Sequence, residues 1–197
     1  MPAPSPQTPR LALFLSGSGR SLTNLITRTE SGELGAQIAL VVASRECPGA
    51  QLARAAGLPT LVIARSLTKE ELLALTTEHR IDWVVLAGYL RLLPIPTHLQ
   101  GRVVNIHPAL LPAFGGPGMH GDRVHTAAIE AFKRGDITET GCTVHLCDNT
   151  YDTGPIVLQK RCPIEPADTP QTLADRVFAL ELLAYPEALN LLIDRNA

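Results

Sequence analysis

Apolar residues in this chain fall in short unbroken runs, separated by glycine and by stretches of helical period. Leu11–Leu15 is one such run and stops at Ser16-Gly17-Ser18-Gly19. Runs of this length without alternation predict strands buried on both faces, as in a parallel sheet. Ile38–Ala43, Leu61–Ile63, Trp83–Ala87 and Arg102–His107 read as the next four strands. Between them, Ser21–Arg28 carries Leu22, Leu25 and Ile26 at helical spacing, and Gln51–Ala56 forms a short helix ended by Gly57. Thr68-Lys69-Glu70-Glu71 has the capping-box pattern and opens a helix to about His79.

A long Pro/Gly-rich loop, Pro108–Gly121, follows the fifth strand. Long loops in compact domains usually carry function. Beyond it, Val124–Arg134 reads as a helix, Cys142–Leu146 and Ile156–Gln159 as two strands, and the segment from Asp168-Thr169-Pro170 to about Asp194 as the last helix. Strand and helix alternate four times before the long loop. That order predicts an α/β fold: a doubly wound, mostly parallel sheet with helices on both faces. Ligands then bind at the carboxyl ends of the strands. Residues 10–197 are expected to form one catalytic domain, behind a disordered lead-in over residues 1–9.

Four segments at strand ends hold candidate chemistry. Gly17, Ser18, Gly19, Arg20 and Ser21 join the first strand to a helix; this is either an anion-binding loop or a tight turn with a serine cap. Asn105 and His107 share a face of the fifth strand by its period of two. They are either a satisfied structural pair or part of a site. Asp152, in Tyr151-Asp152-Thr153-Gly154-Pro155, is either a turn former or a carboxylate aimed at His107. In the second case it would raise the histidine pKa and favour imidazolium. Gly88-Tyr89-Leu90-Arg91-Leu92-Leu93, after the fourth strand, is either an apolar helix start or core edge, or one wall of an apolar cofactor pocket.

Composition narrows the classes. The chain has 197 residues, 45% hydrophobic and 18% charged, with 17 basic and 19 acidic side chains and a net charge of −2. This argues against disorder and against nucleic-acid binding as the main task. No run of 18 apolar residues suggests a membrane span. Cys47, Cys142, Cys147 and Cys162 form no C-x-x-C pair, and read as free thiols in a reducing cytoplasm. The Pro-rich N-terminus lacks the order of a signal peptide. His120, His125 and His145 make no recognisable ligand set, so no catalytic metal is expected.

Taken together, LFLSGSGRSLTNL (13–25), DWVVLAGYLRLL (82–93), VNIHPALLPAF (104–114) and GCTVHLCDNTYDTGPIVLQ (141–159) resemble the folate-dependent formyltransferase family. Arg176-Val177 and Glu181 through Tyr185-Pro186 extend the resemblance over roughly residues 10–190. N-I-H-P-x-L-L-P followed by D-x-G-P is its most specific part. The resemblance implies a transferase that moves a formyl group from 10-formyltetrahydrofolate, as co-substrate, to a primary amine. It implies glycinamide ribonucleotide as acceptor and a role in purine biosynthesis, with an amino-sugar nucleotide as the alternative. It implies Asn105, His107 and Asp152 as the catalytic trio. Gly17, Ser18, Gly19, Arg20, Ser21 and Glu181 would hold the acceptor; Leu90, Arg91, Leu92, Leu93, Cys147 and Asp148 would line the folate pocket. A cytoplasmic monomer or homodimer is expected. Relatives that hydrolyse the donor, or formylate initiator tRNA, carry further domains; with only about ten residues before the first strand and an end at Ala197, neither activity is expected here. This chain departs from the family pattern at Arg20-Ser21, where Ser-Asn is usual, and at Phe178 and Leu182, where polar residues are usual. Its loop from Phe114 to Gly121 is longer than in the shortest members.

Overall fold

The structure, a computed structural model, describes residues 8–195. Residues 1–7 of the expected lead-in lie outside the described residues. Pro9, which that expectation included, is fixed instead: its carbonyl accepts the Gln37 N–H at 2.8 Å.

The order of elements is β1 (Arg10–Leu15), α1 (Arg20–Glu30), β2 (Gln37–Ala43), α2 (Pro48–Ala55), β3 (Thr60–Val62), α3 (Lys69–Glu78), β4 (Trp83–Leu86), a short 3-10 turn (Thr97–Leu99), β5 (Val103–His107), α4 (Asp122–Arg134), β6 (Glu139–Leu146), β7 (Ile156–Pro163) and α5 (Pro170–Asp194). The seven strands form one sheet in the order β3-β2-β1-β4-β5-β6-β7. The pairings among β1 to β5 are parallel; those of β6 with β5 and β7 are antiparallel. The expected doubly wound, mostly parallel sheet is the one observed.

Burial of β1 on both faces explains its unbroken apolar run. Leu11, Leu13 and Leu15 join Leu22 and Leu25 of α1 and Val177 and Leu189 of α5 in one core. Ala12 and Phe14 join Leu72 of α3 and Leu93 and Leu99 in the other.

Three elements differ from expectation in their bounds, for physical reasons. Helix α2 begins at Pro48 rather than Gln51. Gly49 argues against helix by propensity, yet close packing requires it: a Cβ there would lie 2.9 Å from the Gly17 carbonyl oxygen and 3.1 Å from the Gly19 Cα. Strands β6 and β7 are each eight residues long. Gly141 lets them approach, since a Cβ there would sit 1.9 Å from the Lys160 carbonyl oxygen.

Helix α5 carries Pro186 in its interior. Proline has no N–H, so the Leu182 carbonyl loses its helical donor. The Asn24 amide supplies one at 3.0 Å, tying α1 to α5 beside Glu181. One residue before the proline, the Tyr185 hydroxyl bonds the carbonyls of Leu86 at 2.8 Å and Val104 at 3.1 Å. This bolts α5 to β4 and β5 where Asn105 and Gly88 emerge.

Candidate active site

β5 delivers Asn105 and His107, and its antiparallel neighbour β6 places His145 directly opposite Asn105. The His145 Nδ1 lies 3.0 Å from the Leu146 carbonyl oxygen, so it carries the proton. Its Nε2 then accepts the Asn105 amide at 3.2 Å. An amide has two N–H donors, and this contact uses one while fixing the direction of the other.

His107 is held from its other side. Its Nε2 donates to the Phe114 carbonyl at 2.8 Å, which leaves Nδ1 facing Asp152 Oδ2 at 3.7 Å. That oxygen also accepts the Gly116 N–H at 2.9 Å, while Oδ1 lies 3.5 Å from His145 Nε2. The two connections that supply these groups are sharply turned. Phe114 has φ of 56° and Asp152 φ of 57°, conformations few side chains adopt. Gly115 must stay small, because a Cβ there would meet Leu111 at 2.6 Å and the Asp152 Cβ at 3.2 Å. The Pro/Gly-rich composition of the loop thus reflects its close wrap around the carboxylate.

The electrostatics correct one expectation. Asp152 was expected to favour a charged His107, but burial dominates and lowers the histidine pKa below its ordinary 6.5; the Asp152 charge and the Phe114 carbonyl oppose this only in part. His107 is therefore neutral at pH 7, with its proton on Nε2. For Asp152 burial is again the largest single influence and pushes upward, but hydrogen bonding, including that from the Gly116 N–H, outweighs it. The carboxyl stays below 3.8 and is ionised.

The trio opens onto a cleft of about 350 Å³ at the carboxyl ends of the parallel strands. Ser21, Tyr89, Leu90, Met119, His120 and Glu181 complete its walls. A narrower recess continues beyond Asn105, walled by Tyr89, Leu92, Leu93, Ile95, Cys147 and Tyr151. A flat heteroaromatic ring needs apolar walls of this kind.

Not every expected residue points inward. Arg91 borders the recess, but its guanidinium is spent on the carbonyls of Ile63 at 3.1 Å, Ala64 at 2.7 Å and Arg65 at 2.8 Å. Asp148 also borders it, yet its carboxylate caps its own turn through the Thr150 N–H at 2.7 Å and the Thr153 hydroxyl at 2.9 Å. Burial keeps the Cys147 thiol protonated, far above the usual range. Leu90 lines the main cleft, not the recess. Of the expected acceptor loop, Ser21 reaches the main cleft and Arg20 a cavity adjoining it; Gly17, Ser18 and Gly19 line neither. The 17–21 loop is braced by the Gly49 N–H, which bonds the Gly17 carbonyl at 3.0 Å.

His145 was read as one of several scattered histidines. Only the β5–β6 register shows that it faces Asn105. The sequence gives no sign of Gly116 or the Phe114 carbonyl for the same reason: their roles come from backbone and tertiary placement, which residue type does not announce.

A profile of the formyl transferase family matches residues 9–189. The chain belongs to that family. As a formyl transferase it is 35% identical over 201 residues to the chloroplastic phosphoribosylglycinamide formyltransferase of Arabidopsis thaliana, covering 97% of this chain and 68% of that one. It is 36% identical to the human trifunctional purine biosynthetic protein adenosine-3, covering 92% of this chain but 18% of that protein. Among solved structures, the phosphoribosylglycinamide formyltransferase of Bacillus halodurans superimposes with a TM-score of 0.81 at 34% identity, covering 95% of this chain and 97% of that one. The formyl transferase fold therefore spans nearly all of this chain. It also matches one part of the larger human protein.

Proposed function

We propose that this protein transfers a formyl group from 10-formyltetrahydrofolate to the primary amine of glycinamide ribonucleotide, a step of purine biosynthesis. The observation that carries the reading is the convergence of the Asn105 amide, His107 and ionised Asp152 on one cleft, in a chain most of whose length matches proteins named for this reaction.

The amine nitrogen attacks the formyl carbon, and the carbonyl oxygen becomes an oxyanion. The second N–H of Asn105, directed by His145, donates to that oxygen. A donor of this kind is worth roughly 2.7–4 kcal/mol in an oxyanion hole. His107 begins neutral and takes up a proton at Nδ1, the nitrogen beside Asp152, as the amine gives one up; the imidazolium then stabilises the oxyanion. Collapse of the intermediate breaks the bond to the folate nitrogen, which receives the proton. The new amide bond and the released tetrahydrofolate balance the reaction with no net proton change and no covalent enzyme intermediate. Leu92, Leu93, Ile95 and Cys147 would flank the folate ring, with Tyr89 and Leu90 between it and the acceptor. The 17–21 loop and Glu181 would receive the acceptor. Cys47, Cys142, Cys147 and Cys162 are all unpaired, which supports a reducing, cytoplasmic setting.

Absorbance at the tetrahydrofolate band tests the reading. The donor is mixed with glycinamide ribonucleotide, with a 4-amino-sugar nucleotide, or with no acceptor. Release with glycinamide ribonucleotide alone is expected; release with the sugar nucleotide alone would reassign the acceptor, and equal release without acceptor would make the protein a hydrolase.

A further inference from the structure

Three side chains stand in one row across β5, β6 and β7. His107 is paired with Thr143, and Thr143 with Gln159, so all three share one face of the sheet. Thr143 is fully buried. Its hydroxyl donates to the Ala109 carbonyl at 2.6 Å, and accepts the Leu111 N–H at 3.0 Å and the Gln159 amide at 2.9 Å. A hydroxyl has one hydrogen and two lone pairs, so this one is saturated. The same Gln159 nitrogen gives an N–H to the Leu111 carbonyl at 3.0 Å. Both backbone groups of Leu111 are therefore held by side chains of the two antiparallel strands.

Leu111 carries that constraint forward to the site. Its side chain is buried and packs under Gly115, where a Cβ would lie 2.6 Å from it. The Leu110 carbonyl accepts the Ala113 N–H at 3.1 Å and closes the turn. Directly after the turn come the Phe114 carbonyl, 2.8 Å from His107 Nε2, and the Gly116 N–H, 2.9 Å from Asp152 Oδ2. The place of that carbonyl decides which nitrogen of His107 keeps the proton. A neutral imidazole beside a carboxylate normally turns its N–H toward it, which here would be Nδ1. The Phe114 carbonyl draws the proton to Nε2 instead, and Nδ1 stays open as an acceptor.

We infer that Thr143 and Gln159 are positioning residues which, through Leu111, hold the Phe114 carbonyl against His107 and so keep the imidazole proton on Nε2. Neither touches a reacting atom in the proposed reaction. Without them the turn relaxes, the proton passes through water from Nε2 to Nδ1 with no change in charge, and Asp152 accepts it there. The nitrogen that takes up the proton of the amine is then occupied. What this does for catalysis rests on the transfer reaction proposed above; the control of the tautomer does not.

Thr143→Val keeps the shape of the side chain and removes the hydroxyl, and Gln159→Leu removes the amide. Nitrogen-15 NMR of the histidine rings at about pH 8, where His107 is neutral, reads the tautomer with no substrate present. The wild type should show Nε2–H, and both variants a shift toward Nδ1–H. With glycinamide ribonucleotide, kcat should fall about tenfold in each, a part of the roughly 10²- to 10⁴-fold that an acid–base group supplies, with both KM values within about twofold. The double variant should lose little more than either alone, because the two side chains serve one turn. Thr143→Ser restores the hydroxyl and should return tautomer and kcat toward the wild type. Should Thr143→Val not fold, Gln159→Leu, at a half-buried position, carries the same two readouts. Folded variants that keep Nε2–H overturn the inference whether or not kcat falls, and so does a wild type protonated at Nδ1. If the ribonucleotide is not turned over but the tautomer shifts as expected, the acceptor reading fails and the positioning role stands.

Discussion

Asp152 Oδ2 lies 3.7 Å from His107 Nδ1 while accepting the Gly116 N–H at 2.9 Å, so one carboxylate oxygen joins this histidine to the long loop. Burial lowers the His107 pKa and the Asp152 charge resists that shift. Asp152→Asn keeps the shape and removes the resistance. Its kcat should fall about 10²- to 10⁴-fold, the range of a lost acid–base partner. The sign of the pH effect follows: in the proposed mechanism neutral His107 starts the reaction, so the acidic limb of kcat/KM should inflect below 6.5 in the wild type and lower still in Asp152→Asn. A pH–rate profile of both proteins checks this; an inflection that moves upward would contradict it.

His145 acts one step further out, through the 3.2 Å contact that orients Asn105. His145→Leu should lower kcat about tenfold, less than the roughly 10²- to 10³-fold cost of deleting an oxyanion donor outright in Asn105→Ala. The acceptor and donor KM values should change little. Equal losses in the two variants would show that His145 does more than aim the amide.

Much of this arrangement was legible in the sequence, and the limit has a physical cause. The run Leu11–Leu15 announced a strand buried on both faces because parallel strands have no polar side to show. The period of two placed Asn105 and His107 on one face correctly. What the sequence did not reveal came from antiparallel pairing and backbone shape. Nothing local marks His145 as the neighbour of Asn105 across forty residues, or the Phe114 carbonyl as the partner of His107. The charge state of His107 was misjudged because an aspartate is visible in a sequence, whereas the desolvation that outweighs it is a property of the packed site.

Tyr185 offers a test of the fold that supports the site. Its hydroxyl serves two buried strand carbonyls, at Leu86 and Val104. Tyr185→Phe removes that donor at constant shape and should destabilise the protein by about 1–3 kcal/mol, the cost of leaving a buried polar group unpaired. Urea unfolding monitored by circular dichroism reads the change directly.

Glu181 trades stability against use. Its carboxyl titrates near 8 in the folded chain, from an ordinary 4.5, because burial disfavours its charge. Between those values the folded state holds a proton that the unfolded state releases, so stability falls as pH rises through the window. Glu181→Gln carries no such charge. Its melting temperature should exceed the wild type's at pH 8, with the advantage shrinking as pH falls toward 5, while its acceptor KM rises. A constant difference across that range would contradict the buried-acid reading.

Donor labelled with carbon-13 at the formyl group, followed by mass spectrometry of the products, tests the central claim most directly. Direct transfer predicts label in formylglycinamide ribonucleotide, in one-to-one ratio with the tetrahydrofolate released. Label recovered as free formate, or tetrahydrofolate formed without labelled amide, would contradict it.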